Sequence, residues 1–208
     1  NLSSEVILHY EIKSLLGDKK ARNIDKAIKQ LQISSQKGNK YASYILGLIY
    51  ESGEEVEIYM EESLKYYEES VKQGNSEALF SIGTIYDSGK GVEKDSTKAI
   101  DYFEKSSKLG NSNALHNLGL IYAVGKGVEE NLIKAKDYFE EASKYDNPSA
   151  LYYLGLFYSD GRIMEQDYIK ALECFEKAVE LGDDNSLNNI GIIYRDGKGV
   201  ERDYIKAK

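Results

Sequence analysis

The chain has 208 residues, 41% of them hydrophobic and 30% charged, with a formal net charge of −8. That balance suits a folded protein and excludes a disordered one. The acidic excess, with lysines interspersed among glutamates and aspartates, sets aside DNA and RNA, whose phosphates would meet a repelling field.

No apolar run approaches the roughly 20 residues that cross a bilayer, so no membrane span is expected. Asn1-Leu2-Ser3-Ser4 lacks the basic start and apolar stretch of a secretion signal. Asn1 is not a start methionine, so cytoplasmic and secreted locations both stay open. One cysteine and two histidines, His9 and His116, rule out an internal disulfide and a His-rich metal site. A single proline beside 18 tyrosines points to helices joined by glycine.

In chain order, the first element is an N-terminal degenerate or capping repeat, residues 1–38. Residues 23–37 read as a second helix of a repeat, because Ala27, Leu31 and Ser34 stand 36 positions before Ser63, Tyr67 and Ser70. Its partner, about Ser4 to Leu16, is degenerate, as expected of a terminal cap.

Repetition then becomes regular. Leu46-Gly47-x-x-Tyr50 recurs as Ile82-Gly83-x-x-Tyr86, Leu118-Gly119-x-x-Tyr122, Leu154-Gly155-x-x-Tyr158 and Ile190-Gly191-x-x-Tyr194, each 36 residues after the last. Ala99, Ala135, Ala171 and Ala207 keep the same step, as do Phe103, Phe139 and Phe175. The copies are 39–74, 75–110, 111–146, 147–182 and a truncated 183–208.

Each copy reads as two helices. In the third, Asn111 or Ser112 caps a helix A over Ala114–Tyr122, and Gly125-Lys126-Gly127-Val128 breaks it. Asn131 opens a helix B running to about Lys144, at a position held by Asp95, Asp167 and Asp203 elsewhere. Gly38, Gly74, Gly110 and Gly182 precede the next helix A, with Asp146 substituting once. Glu55 and Ile163 replace the second loop glycine in copies one and four, where altered loops are expected. Lys208 comes only a few residues into the fifth helix B. The uncovered face this leaves implies a chain that continues, and it allows end-to-end self-association through the C-terminal repeat.

Leu-Gly-x-x-Tyr with Ala-x-x-x-Phe resembles the tetratricopeptide pattern, whose repeat is about 34 residues long. The longer step and the segment Gly89-Lys90-Gly91-Val92-Glu93-Lys94-Asp95-Ser96-Thr97-Lys98-Ala99, which recurs at 125–135 and 197–207, identify the chain as resembling the Sel1-like repeat family. The resemblance covers roughly residues 39–208. It implies an all-α fold, a right-handed α-solenoid superhelix of antiparallel helix pairs, whose stacked helix A segments line a concave side.

Comparison among copies separates packing positions from free ones. In copy one, Ala42, Leu46, Gly47, Ile49 and Tyr50 recur on an arc of roughly 160° and are expected to face neighbouring helices. Positions 41, 44, 45 and 48 and their equivalents vary, and a face that varies is not obliged to pack. On it stand the candidate partner-binding residues Tyr41, Tyr44, Phe80, Asn113, His116, Asn117, Tyr152, Tyr153, Asn188 and Asn189. Tyrosine offers rigid contact area, and an asparagine amide can pair with a peptide backbone.

Catalytic motifs are weak by comparison. The Gly-Lys-Gly turns lack the Gly-x-x-x-x-Gly-Lys-Ser/Thr form and follow no strand. Cys174 replaces Tyr102 and Tyr138 in helix B and reads as a packed hydrophobe. His116 has no nucleophile and orienting acid by motif, and the pairs Glu54-Glu55 and Glu61-Glu62 read as solvated charge. The expectation is no enzyme, no cofactor and no metal, but a scaffold or adaptor that binds a protein or peptide. The alternative is a regulatory or targeting arm of a larger enzyme or of an envelope or virulence protein. Some small secreted Sel1-like proteins are linked to antibiotic hydrolysis, but the cysteine pairs of that branch are missing here.

Overall fold

Glycine at the middle of helix A and an aromatic ring in helix B of the first four copies dictate how the helices meet. The computed structural model describes residues 24–52 and 59–207. The expected helix over Ser4–Leu16, His9, Gly53 and the Glu54-Glu55 pair lie outside the described residues, and so does the loop change expected at Glu55. Among the described residues there are ten α-helices and no strand. They are α1 Ile24–Gln36, α2 Lys40–Ser52, α3 Met60–Lys72, α4 Ser76–Ser88, α5 Ser96–Lys108, α6 Ser112–Val124, α7 Leu132–Ser143, α8 Pro148–Asp160, α9 Tyr168–Glu180 and α10 Asn185–Asp196. Helices α2, α4, α6, α8 and α10 are the A helices of the five copies. Contacts divide the chain into two compact units, one ending at Leu109 and one beginning at Gly110.

In the first unit, serine hydroxyls on B helices reach backbone carbonyls of A helices. Ser63 Oγ donates to the Gly47 carbonyl at 2.8 Å and Ser70 Oγ to the Lys40 carbonyl at 2.6 Å. The start of α3 therefore lies by the second half of α2 and its end by the start of α2, an antiparallel pair. Ser106 Oγ repeats the contact on the Ser76 carbonyl at 2.7 Å. Helix α1 adds Ile28 and Leu31 to a cluster with Ala42 and Leu46, so the second half of the cap packs as a helix B.

The second unit shows why the loop needs its residues. Asn111 is the cap of α6, its side chain accepting from the Ala114 N–H at 3.0 Å. Helix α6 stops at Gly125, whose φ of +68° and that of Gly127, +74°, lie where L side chains are strained. The chain then returns, the Asn131 N–H donating to the Tyr122 carbonyl at 2.8 Å and the Asn131 side chain accepting from the Lys134 N–H at 2.9 Å. Copy four closes in the same way, Asp167 N–H to the Tyr158 carbonyl at 2.8 Å. Ile163 thus leaves the closing bond unaltered, because that bond depends on loop length and on backbone atoms rather than on the second glycine. Asp146 does adopt the glycine conformation of its position, with φ +54°.

The same glycine-ring contact organises both units. A Cβ on Gly47 would lie 2.5 Å from the Tyr67 ring, on Gly83 2.7 Å from Phe103, on Gly119 2.5 Å from Phe139 and on Gly155 2.5 Å from Phe175. All four rings are fully buried. Each burial stabilises by roughly 1.5–3 kcal/mol, and the missing methylene is what lets the ring reach the helix backbone. Ala42, Ala78, Ala114 and Ala150 are also completely buried, where the helices come closest.

Candidate functional site

The varying arc of helix A emerges on the surface beside the buried B-helix rings. In the first unit it presents Tyr41, 41% exposed, while Tyr44 and Phe80 are half-buried. In the second unit Asn113 and Asn188 are exposed, and His116, Asn117, Tyr152, Tyr153 and Asn189 are half-buried.

The expectation that this arc is free of packing needs correction: Ile45, Leu120, Tyr153 and Leu156 pack against the core, and so does one ring position in each of the first four copies. Tyr44 lies against Tyr67 with ring centroids 5.7 Å apart, Phe80 against Phe103 at 5.7 Å, His116 against Phe139 at 5.7 Å and Tyr152 against Phe175 at 6.0 Å. The reason is helical geometry. Each residue stands three before the glycine of its helix and shares its face, so it lies beside the ring that the glycine admits. The position varies in identity among Tyr, Phe and His yet remains planar in the first four copies. Asn188 breaks that series in copy five.

Tyr153 is held most firmly. Its ring stacks on Phe139 at 5.0 Å and 8°, meets Tyr152 edge-on at 5.3 Å and lies 5.7 Å from His116. Burial, then the neighbouring Tyr152, raises its pKa. His116 sits between Phe139 and Tyr153, and burial lowers its pKa to about 4, so the imidazole is neutral at physiological pH. Its Nδ1 is buried and finds no hydrogen-bond partner among the described residues. Asn113 Oδ1 accepts from Asn147 Nδ2 at 3.1 Å, and Asn189 Nδ2 reaches the Asn185 carbonyl only at 3.4 Å. The candidate residues of the second unit are therefore uncharged amides and rings, with Arg195 beside Asn188 and Lys198 beside Asn189.

The first unit adds a polar network not seen in sequence. Tyr67 donates to Glu51 Oε2 at 2.6 Å, and Lys90 Nζ donates to Glu51 Oε1 at 3.1 Å. The available signal was Tyr67 itself, a tyrosine where later copies carry Phe103, Phe139 and Phe175. Glu51 and Lys90 had no such mark, because they meet only when consecutive copies stack.

Chemistry is sparse. Among the described residues no group of three or more His, Cys, Asp or Glu side chains could hold a metal ion. Cys174 is half-buried, and burial first, then Glu173, raises its pKa to about 11, which disfavours the thiolate. Among the described residues no helix is long and apolar enough to cross a membrane.

Comparison with known proteins follows this geometry. The family model for the Sel1 repeat matches residues 40–75, 76–111, 112–144, 148–183 and 185–208. A Sel1 repeat protein from Oxalobacter formigenes superposes with a TM-score of 0.88 at 28% identity, over 100% of this chain and 84% of its own. A protective antigen of uropathogenic Escherichia coli with the same repeat fold gives 0.87 at 23% identity, over 98% of this chain and 44% of its own. An immunity protein from Pseudomonas aeruginosa gives 0.63 at 21% identity, over 100% of this chain and 76% of its own, a likeness of fold alone. A search of curated proteins finds no match. The 36-residue period, the glycine-ring contacts and the matched repeats agree: the chain belongs to the Sel1 repeat family.

Proposed function

We propose that this chain is a non-catalytic scaffold or adaptor that holds a protein partner, through a peptide segment, against the A-helix faces. An interaction-scaffold role is typical of the family. The observation that carries the reading is the set of uncharged candidate residues in the second unit, the amides of Asn117, Asn188 and Asn189 and the packed rings of Tyr152 and Tyr153. Such a lining can pair with a partner's backbone while ordered aromatics supply contact area at low entropic cost. Asn113 and His116 belong to the same set, as do Tyr41, Tyr44 and Phe80 in the first unit. End-to-end association through copy five belongs to this reading too and is checked by light scattering.

The test is selection of random dodecapeptides on phage against the chain, repeated with Asn117→Ala and with Tyr153→Phe. The second variant keeps the stacking ring and removes only the hydroxyl. Enriched sequences whose affinity falls at least several-fold on Asn117→Ala support the reading. Enrichment unaffected by both variants moves the contact to another surface, and failure to enrich any sequence overturns peptide binding.

A further inference from the structure

The A helices of copies three and four carry almost no charge. Helix α6 has no charged residue, and α8 has only Asp160 at its last position. The His116 and Tyr153 rings, 5.7 Å apart, bring the two helices together on this side. The hydrogen-bonding groups there are unequally spent. Asn113 Oδ1 already accepts from Asn147 Nδ2 at 3.1 Å, which leaves the Asn113 amide its N–H donors. Among the described residues, the Asn117 amide and the hydroxyls of Tyr152 and Tyr153 have no hydrogen-bond partner. His116 keeps its Nδ1 buried, out of reach of a ligand N–H. Donors therefore predominate. The Tyr152 and Tyr153 rings meet at 80°, and both are half-buried, so part of each remains open to a ligand.

We infer that the segment held at this face is proline-rich and docks in the polyproline II conformation. The inference rests on the proposed peptide binding and specifies the chemistry of the segment. An α-helix spends its carbonyls internally and offers these donors few partners. An extended strand brings an N–H with every carbonyl, and the face has few acceptors to match them. A polyproline II segment makes no internal hydrogen bonds, so its carbonyls are open, and each proline lacks the N–H. Its pyrrolidine rings are apolar and uncharged, in keeping with α6 and α8, and such segments dock against aromatic side chains. With φ already fixed by the ring, little conformational entropy is lost on docking.

The probe is nonaproline blocked at both ends, titrated into the whole chain while the side-chain N–H signals of Asn117 are followed by NMR. The control is a blocked Gly-Ser peptide of the same length, uncharged and flexible, with an N–H at every residue. Shifts that saturate with nonaproline at about millimolar concentration or below, and not with the control, are expected. Tyr152→Phe and Tyr153→Phe keep the rings and remove the hydroxyls, and loss of a hydrogen bond in either should weaken binding by about 2- to 10-fold. Shifts that do not saturate, equal affinity for the control, or affinity unchanged in both variants overturn the inference. If nonaproline fails while dodecapeptides without proline enrich and depend on Asn117, only this inference falls. If neither nonaproline nor any dodecapeptide binds, the proposed function falls with it.

Discussion

Replacing Gly119 by alanine is the sharpest test of how the helix pairs are held. Alone on a helix, the change would favour the fold by about 1 kcal/mol, the difference in helix propensity. In this structure the new methyl would lie 2.5 Å from Phe139 Cε1, 2.7 Å from Cδ1 and 2.8 Å from Cζ. Carbon atoms normally rest at about 3.5–4.0 Å, so the ring must retreat by about 1 Å. It has nowhere to go. Phe139 is fully buried, with His116 at 5.7 Å, Tyr153 at 5.0 Å and Phe157 at 5.8 Å between ring centroids. Overpacking of this kind costs about 1–3 kcal/mol, and the cramped surroundings place it at the upper end. The net expectation is a loss of about 1–2 kcal/mol after the propensity gain is subtracted. Urea denaturation followed by circular dichroism measures it, in the parent and in a Phe139→Leu background where the ring is gone. In that background the alanine should become neutral or stabilising. An alanine that stabilises the parent, or costs the same in both backgrounds, would refute the close-approach argument.

His116 should give the chain a pH dependence of known sign. The unfolded chain takes up a proton near the ordinary value of about 6.5, whereas the folded state holds the imidazole neutral down to pH about 4. Between those values the unfolded state binds more protons. The contribution is therefore full above pH 6.5 and is lost as pH falls toward 4, by at most about 3 kcal/mol. His116→Phe, which places in copy three the ring that Phe80 supplies in copy two, should flatten this part of the profile; parallel profiles for parent and variant would contradict the burial. Asn147→Ala should cost about 1–2 kcal/mol, since it removes both the cap on the Ala150 N–H at 3.0 Å and the bond to Asn113 at 3.1 Å. Asn147→Asp, which keeps the cap and loses the donor, should recover at least half of that loss in the same urea experiment.

Much of the fold was legible because it repeats. The 36-residue period marked the helix pairs, and the Asn131, Asp95 and Asp167 caps were each visible as a short polar residue before an apolar pattern. Gly119 and Phe139 each stood out as one member of a series in register, and the structure shows that the two series meet. The face was less legible. Variation at position 44 suggested freedom from packing, and it reflects instead a slot that accepts any planar ring.

The sequence by itself determined the repeat, the approximate places of its helices and the residues that recur in every copy. These depend on local propensity and on a spacing that every copy restates. Only the tertiary structure decided which side chains meet, within a copy and between consecutive copies. Lys134 places its ammonium 3.9 Å from the Tyr122 ring centroid, and Lys98 stands 4.9 Å from that of Tyr86. Tyr67, Glu51 and Lys90 form one network. Those contacts join residues 12 to 39 positions apart through stacked helices. Their distances are set by packing, which no local pattern records.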